Sequence, residues 1–118
     1  MAAVLVVEDD LDTQHLMARW LERDGHIVSV AEDGQHALDL AGQADYDLVV
    51  LDVSLPDFDG YEVVRRLPRP ATARLLMCSV RDREDAPREL HLDSWLNKPF
   101  SHAELLTAVA DALDGCDA

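Results

Sequence analysis

Short apolar runs alternate with amphipathic stretches along the entire chain. The apolar runs are almost continuously hydrophobic and rich in β-branched residues, which is typical of strands that are covered on both faces. They predict five strands, at residues 3–7, 27–31, 48–51, 75–78 and 95–96. Neither an internal repeat nor a low-complexity segment interrupts the alternation. A β–α alternation of this kind predicts a parallel sheet with right-handed crossovers and with helices on both faces.

Helical patterns fill the segments between these strands. The first three helices are predicted at residues 11–24, 34–41 and 60–67. The last helix has the clearest start, because Ser101 and Glu104 have the spacing of a capping box, and Gly115 is placed to end it. We therefore expect a doubly wound domain of the (βα)5 type, with three layers.

The segment 80–94 departs from this regularity. It should supply the fourth helix, but Pro87 lies in its middle, and proline removes a backbone donor that a helix needs. Its many charged side chains also leave little apolar surface to bury. The fourth helix is therefore predicted to be short or irregular.

Charge and length narrow the class of protein. The 118 residues carry 24 Asp and Glu against ten Lys and Arg, a formal net charge of -14, and their number fits one domain, 1–118. The excess of acids argues against direct binding to nucleic acid or to an anionic membrane. The chain has neither a membrane span nor a signal peptide, so we expect a cytoplasmic protein. Cys78 and Cys116 lack the spacing of a disulfide framework or a zinc site.

Polar side chains directly follow the predicted strands. They are Glu8, Asp9 and Asp10 after the first strand, Asp52 after the third, Ser79 after the fourth and Lys98 after the fifth. Because the ends of parallel strands meet at one edge of the sheet, we expect these groups to converge there. Crowded carboxylates attract a cation, and hard oxygen ligands favour Mg²⁺. Capping of the first helix explains at most one of the three successive acids.

The distribution of cations is also informative. Lys98 is the only lysine, and every other cation is an arginine. A compact ammonium suits pairing with a carboxylate or a phosphoryl oxygen as a point charge. Most of the arginines lie between Arg65 and Arg88. We interpret that bias first as a solvated face, and alternatively as a docking surface for an acidic partner or for a second copy in a homodimer.

Four motifs in this order and spacing closely resemble the receiver domain of bacterial two-component response regulators. They are the run 4–10 that ends in Glu8-Asp9-Asp10, the run 48–60 with Asp52 and Leu55-Pro56-Asp57-Phe58-Asp59-Gly60, Ser79, and Lys98-Pro99-Phe100. The resemblance covers essentially the whole chain. It implies a flavodoxin-like sheet of strand order 2-1-3-4-5 and a cis Lys98–Pro99 bond.

The resemblance also implies a phosphorylation switch. Asp52 would accept a phosphoryl group from a histidine kinase or a phosphotransfer protein. Lys98 would pair with Asp52 at rest and with a phosphoryl oxygen afterwards, and Ser79 would hydrogen-bond another oxygen. The domain would be no enzyme in the usual sense, because it would promote only its own phosphorylation and dephosphorylation. Its output would pass to a downstream effector protein or to a fused output domain.

The resemblance places a magnesium ion beside the phosphoacceptor. Asp9, the carboxylate of Asp52 and the backbone carbonyl of Ser54 would bind Mg²⁺, and Glu8 would act mainly through a bound water. Ser54 and Arg81, each two residues after a site residue, occupy positions that often tune the lifetime of the phosphoryl group in this family.

One position of the usual switch differs from the family pattern. Trp95 stands where the family usually has Tyr or Phe. An indole is larger than these rings, so two readings stay open: Trp95 moves together with Ser79, or it only packs.

Three other functions compete with this interpretation. A pseudo-receiver would keep the fold and act by protein contact alone. A phosphatase of the haloacid dehalogenase type would need a second Asp two residues after Asp52, where this chain has Ser54. A flavin or nucleotide carrier would need a glycine-rich loop after the first strand, which the chain lacks.

Overall fold

Five parallel strands and the helices between them form the framework of the computed structural model, which describes residues 2–57, 59–68, 73–81 and 83–114. The elements in chain order are β1 (Ala3–Val7), α1 (Leu11–Arg23), β2 (Ile27–Ala31), α2 (Gly34–Gln43), β3 (Leu48–Asp52), α3 (Gly60–Arg66), β4 (Arg74–Ser79), a 3-10 helix (Arg83–Asp85), β5 (Ser94–Asn97) and α4 (His102–Asp114). Phe58, Gly115 and Cys116 lie outside the described residues.

The strands are arranged in the order β2-β1-β3-β4-β5, and every neighbouring pair is parallel. This confirms the expected sheet order 2-1-3-4-5. The β3–β4 ladder extends to the pair Asp52 and Cys78, and the β4–β5 ladder extends to Ser79 and Asn97. Asp52 and Ser79 are thus the last residues of their strands rather than the first after them. Ladder pairing of Asp52 with Cys78 and of Ser79 with Asn97 fixes the backbone of both residues.

Two apolar layers hold the sheet from its two sides. Alternate residues of β1 point to opposite faces, so Val4 and Val6 pack with α1 and α4, whereas Leu5 and Val7 pack with α2 and α3. All four side chains are buried. Complete burial of an aliphatic side chain typically contributes about 1.5–3 kcal/mol. The strand ends are therefore anchored by a well-packed core, as the doubly wound prediction requires.

The helices begin at side chains that satisfy free backbone amides. Asp10, Asp33 and Asp59 cap α1, α2 and α3, each by accepting a hydrogen bond from the amide three residues later. Ser101 and Glu104 form the expected capping box, with bonds of 2.9 and 3.1 Å. Among the three successive acids after β1, Asp10 is therefore the one that capping explains. Its hydrogen bonds from Thr13 lower the pKa of this exposed carboxyl.

The segment between β4 and β5, residues 80–93, is called the β4–β5 connection below. In its described part the helical structure is the single turn Arg83–Asp85, so the short fourth helix is confirmed. The backbone N–H of Leu90 bonds to the carbonyl of Pro87, which gives a tight turn in place of a longer helix. The connection borders a cavity of about 240 Å³. Its first residue, Val80, is 77% exposed.

The described helices have at most 13 residues. None of them is both long and apolar enough to cross a bilayer.

Candidate functional site

Three carboxylates meet at the carboxyl edge of the sheet. Glu8, Asp9 and Asp52 each offer an oxygen, and these oxygens all lie within 4.8 Å of one another. Glu8 and Asp52 are buried, whereas Asp9 is exposed. The cluster therefore has a protein-lined side and a side open to solvent.

Lys98 joins two of these acids. Its Nζ donates to Glu8 Oε1 at 2.6 Å and to Asp52 Oδ2 at 3.0 Å. Its backbone N–H donates to the Ser79 carbonyl at 2.8 Å, which ties the lysine to the end of β4. The Lys98–Pro99 bond is cis, as expected. The bond to Glu8 was not expected from the sequence. Glu8, Asp9, Asp52 and Lys98 are called the acid–lysine site below.

Burial and charge set the protonation of this site. Burial raises the pKa of Glu8 to about 7; the hydrogen bond from Lys98 opposes the rise, and the proximity of Asp52 adds to it. Burial would lower the pKa of Lys98, but its hydrogen bonds to Glu8 and Asp52 outweigh that effect and raise the pKa. Lys98 therefore stays charged, while Glu8 stands near the midpoint of its titration at neutral pH.

The donor set fits a small divalent cation. Three carboxylates face a single ammonium, and burial, with a smaller contribution from the proximity of Asp52, raises the pKa of one of them, Glu8, to about 7. Mg²⁺ prefers oxygen ligands, typically takes one or two protein carboxylates and keeps several waters, which suits a cluster that is open on one side. Ser54 lies beside it, since its backbone N–H donates to Asp52 Oδ1 at 3.0 Å.

A second set of hydrogen bonds links Ser79 to β5. The Arg81 N–H donates to Ser79 Oγ at 2.9 Å. The Arg81 carbonyl accepts from Trp95 Nε1 at 3.2 Å and from Asn97 Nδ2 at 2.8 Å. Ser79, Arg81 and Trp95 thus form one network, which lies next to the acid–lysine site through the bond from Lys98 to the Ser79 carbonyl. The switching and tuning roles of Trp95, Arg81 and Ser54 stay predictions.

Three residues with structural roles around the site were missed from the sequence. Asn97 completes the network at Arg81. Gln14 is buried, and its Nε2 donates to the carbonyls of Glu8 and Ala31, which joins the ends of β1 and β2. Asp57 binds the first amides of α2. The only signal for Asn97 was a polar residue one position before Lys98. The only signal for Gln14 was an uncharged polar residue on the apolar face of α1.

Gly60 is fixed by a close approach of the backbone. A Cβ at this position would clash with the Asp52 carbonyl oxygen and would lie 2.9 Å from Val53 Cα. The Gly60 N–H also donates to the Val53 carbonyl at 2.7 Å. The absence of a side chain lets α3 begin directly against the strand end that carries Asp52.

Three arginines of the arginine-rich segment form ion pairs within the chain. Arg65 pairs with Glu62 and Glu89, Arg66 with Glu62, and Arg74 with Asp93. These pairs favour the interpretation of the segment as a solvated face rather than as a docking surface for an acidic partner.

Comparisons with known proteins agree with this geometry. The family model described as the response regulator receiver domain matches residues 4–110. The chain is 37% identical over 114 residues to the probable transcriptional regulatory protein SilR of Salmonella typhimurium, covering 93% of this chain and 50% of SilR. It is 42% identical over 107 residues to the transcriptional regulatory protein TcrA of Mycobacterium tuberculosis, covering 86% of this chain and 42% of TcrA.

A solved structure shows the same fold. The chemotaxis response regulator CheY4 of Vibrio cholerae superposes with a TM-score of 0.84 at 28% identity, covering 96% of this chain and 99% of that one. The chain spans about half the length of the curated relatives described above.

Proposed function

The chain belongs to the response regulator receiver domain family, and we propose how its residues perform the phosphoacceptor role of that family in two-component systems. The observation that carries the proposal is the acid–lysine site: a buried aspartate at a strand end, two further carboxylates within 4.8 Å, and an ammonium 3.0 Å from the aspartate. We assign phosphoryl acceptance to Asp52. We also propose that residues 1–118 form one receiver domain.

Acceptance is an in-line displacement at phosphorus. A carboxylate oxygen of Asp52 forms the new O–P bond with its own electron pair, the P–N bond to the donor histidine breaks, and the electron pair of that bond returns to the imidazole. The chain's contribution is positioning and charge neutralisation, the usual protein contribution to phosphoryl transfer. The bond from the Ser54 N–H to Asp52 Oδ1 holds the carboxylate in place while Asp52 Oδ2 faces Lys98.

Lys98 and Ser79 receive the charge of the transferred group. Lys98 already donates to Asp52, so a short movement of its Nζ brings it to a phosphoryl oxygen. Ser79 Oγ accepts from the Arg81 N–H, and its own O–H can therefore donate to another phosphoryl oxygen. The domain acts on itself rather than on a turned-over substrate, including in the later loss of the group to water.

We assign Mg²⁺ to Asp9, the Asp52 carboxylate and the Ser54 carbonyl, with Glu8 contributing through water. When bound, the ion supplies positive charge that offsets the carboxylates and the phosphoryl oxygens. The fit rests on the hard oxygen donors of the cluster and on its open side.

An apolar groove beside the site suits a protein donor. Its volume is about 270 Å³, and it is lined by Thr13, Leu16, Met17, Trp20, Lys98, Pro99 and Phe100. Leu16 is 46% exposed there, and Lys98 belongs to both the groove and the acid–lysine site. We propose that the histidine kinase or phosphotransfer protein docks on this groove. Leu16→Glu should then slow transfer from the protein donor and leave transfer from acetyl phosphate unchanged.

The output passes to a partner or to a further domain. SilR and TcrA are transcriptional regulatory proteins about twice the length of this chain. We propose that this receiver likewise controls a downstream effector or a fused output domain and operates in the cytoplasm, where ATP feeds the kinase. A homodimer stays a prediction.

The test is phosphorylation by acetyl phosphate, followed by the mass of the intact protein. The wild-type protein should gain the mass of one phosphoryl group only when Mg²⁺ is present. Asp52→Asn should gain none, whereas Asp39→Asn, which changes an exposed acid on α2, should behave as wild type. No Mg²⁺-dependent gain at Asp52, together with no binding of beryllofluoride, would favour the pseudo-receiver.

A further inference from the structure

The Asp57 carboxylate binds a helix that belongs to another part of the fold. Its Oδ1 accepts from the Gly34 N–H and its Oδ2 from the Gln35 N–H, both at 2.9 Å. These amides form the first turn of α2, where the partial positive charge of the helix stabilises an acid. Both oxygens of Asp57 thus bind backbone amides of α2.

Asp57 is not the local N-cap residue of α2. Asp33, the residue directly before α2, already caps the same helix end by accepting from the His36 N–H at 2.7 Å. Asp57 binds two further amides that the start of the helix leaves without an intrahelical partner, and it reaches them from a distant part of the chain. What Asp57 adds is a connection between α2 and the loop that follows β3.

That loop carries Ser54, whose carbonyl is assigned to Mg²⁺. At its start the loop is fixed to the strand, because the Ser54 N–H donates to Asp52 and the Gly60 N–H donates to Val53. Asp57 fixes it again three residues beyond Ser54, against a helix whose Ala37 and Ala41 are buried in the core. The Ser54 carbonyl therefore lies between two anchors. Small errors in ligand placement weaken a site of this kind, because its groups must be held to about half an ångström.

We propose that Asp57 is a positioning residue for Mg²⁺: by binding α2 it holds the loop after β3 so that the Ser54 carbonyl is set for the ion. This inference rests on the proposed function, since it assumes that Mg²⁺ binds Asp9, Asp52 and Ser54. It predicts that metal affinity depends on a carboxylate that does not touch the metal.

Asp33 provides a matched control. Asp33→Ala and Asp57→Ala each remove one negative charge and at least one amide hydrogen bond from the same helix end, but only Asp57→Ala releases the loop. The experiment measures the dissociation constant of Mg²⁺ by calorimetry for the wild type and both variants, at one pH and ionic strength, together with the melting temperature of each.

Both variants should melt at reduced temperatures, Asp57→Ala by at least as much as Asp33→Ala because it loses two amide hydrogen bonds rather than one. Asp57→Ala should raise the dissociation constant of Mg²⁺ about tenfold, the lower end of the effect seen when groups that orient metal ligands are removed. Asp33→Ala should leave the dissociation constant of Mg²⁺ within a factor of two of the wild-type value, because the proposal attributes the effect to the loop rather than to the charge. Equal affinities for all three proteins, or equal losses in both variants, would overturn the proposal.

A second variant at Asp57 and the wild type itself complete the test. If Asp57→Ala does not fold, Asp57→Asn keeps the shape and one acceptor, and it should raise the dissociation constant by less than tenfold but by more than Asp33→Ala does. An unchanged affinity in a folded Asp57→Asn would also overturn the proposal. If the wild type itself binds no Mg²⁺, the magnesium assignment fails first, and this inference fails with it.

Discussion

The acid–lysine site and the β4–β5 connection lie at the same edge of the sheet but are held in place by different bonds. Asp52 is the last residue of a strand that pairs with a neighbour on each side, and its carboxylate is held by Ser54 and Lys98. In its described part the β4–β5 connection has a single helical turn, and the side chains of Trp95 and Asn97 bind one carbonyl at its start.

This difference separates two tasks. A group that receives a phosphoryl group must stay in one place, because transfer depends on positioning. A segment that reports the event must be able to change, and segments with few backbone ladder bonds open at lower free energy than core strands. The acid–lysine site is built for the first task and the β4–β5 connection for the second.

Removal of the Lys98 ammonium should have the largest effect on stability. Lys98→Met leaves Glu8 and Asp52 without their cation, and loss of one partner from a buried pair typically costs about 3 kcal/mol or more. We expect that loss in urea unfolding at pH 8 in the presence of EDTA. Arg88→Met removes an exposed cation from the β4–β5 connection and should change stability by less than about 0.5 kcal/mol. Similar losses in both variants would contradict the proposed contrast.

The second-largest expected effect is the pH dependence of Mg²⁺ binding. The pKa of Glu8 is raised from 4.5 to about 7 in the folded protein. In the absence of metal, this raised pKa contributes fully to the free energy of unfolding below about pH 4.5, and the contribution is lost as the pH rises through 7. Bound Mg²⁺ favours the ionised carboxyl instead. Its affinity should therefore rise about tenfold between pH 6 and pH 8, the result of releasing one proton. Calorimetric titration checks this, and Glu8→Gln should flatten the profile; an equally steep profile in that variant would exclude Glu8 as the cause.

Trp95→Phe should have a smaller effect, confined to the β4–β5 connection. The phenyl ring keeps most of the packing but loses the hydrogen bond to the Arg81 carbonyl, which is worth about 1 kcal/mol. Urea unfolding should show that loss, while the dissociation constant of Mg²⁺ stays at the wild-type value. A weakened magnesium site in this variant would show that the two regions are not separable.

The Arg81 side chain should have the smallest effect. It is exposed, whereas its backbone makes the bonds to Ser79, Trp95 and Asn97, so Arg81→Ala preserves the network. An exposed charge near the phosphoryl group is worth up to about 1 kcal/mol, which corresponds to a change of at most about fivefold in the lifetime of phospho-Asp52. Decay of the phosphorylated protein measures this, and superimposable decay curves would exclude a role for the side chain.

Much of this arrangement follows from the sequence because strand ends are readable in it. Continuous apolar runs end at Val7 and Leu51, and parallel pairing brings the residues that follow them together. Pro87 likewise predicts the broken fourth helix. Which of two adjacent acids turns inward depends on the exact end of β1, so the bond between Lys98 and Glu8 could not be foreseen.

Contacts made by loops were not predictable. Asp57 binds α2 and Asn97 binds the Arg81 carbonyl because the loops after β3 and β4 adopt particular conformations. Those conformations are set by tertiary packing rather than by local residue patterns, and a polar residue in a loop has many equivalent partners before the chain folds. The residues that carry the chemistry are thus visible in the sequence, whereas those that hold them in position are not.

The central claim is that a phosphoryl group is accepted at the acid–lysine site and read out through the β4–β5 connection. Amide hydrogen exchange with and without beryllofluoride and Mg²⁺ tests it most directly, with Asp52→Asn as control. We expect exchange to change chiefly in peptides from the β4–β5 connection and β5, to stay nearly constant in β1 and β3, and to respond to neither reagent in Asp52→Asn. Beryllofluoride bound at Asp52 with unchanged exchange in the β4–β5 connection would contradict the claim.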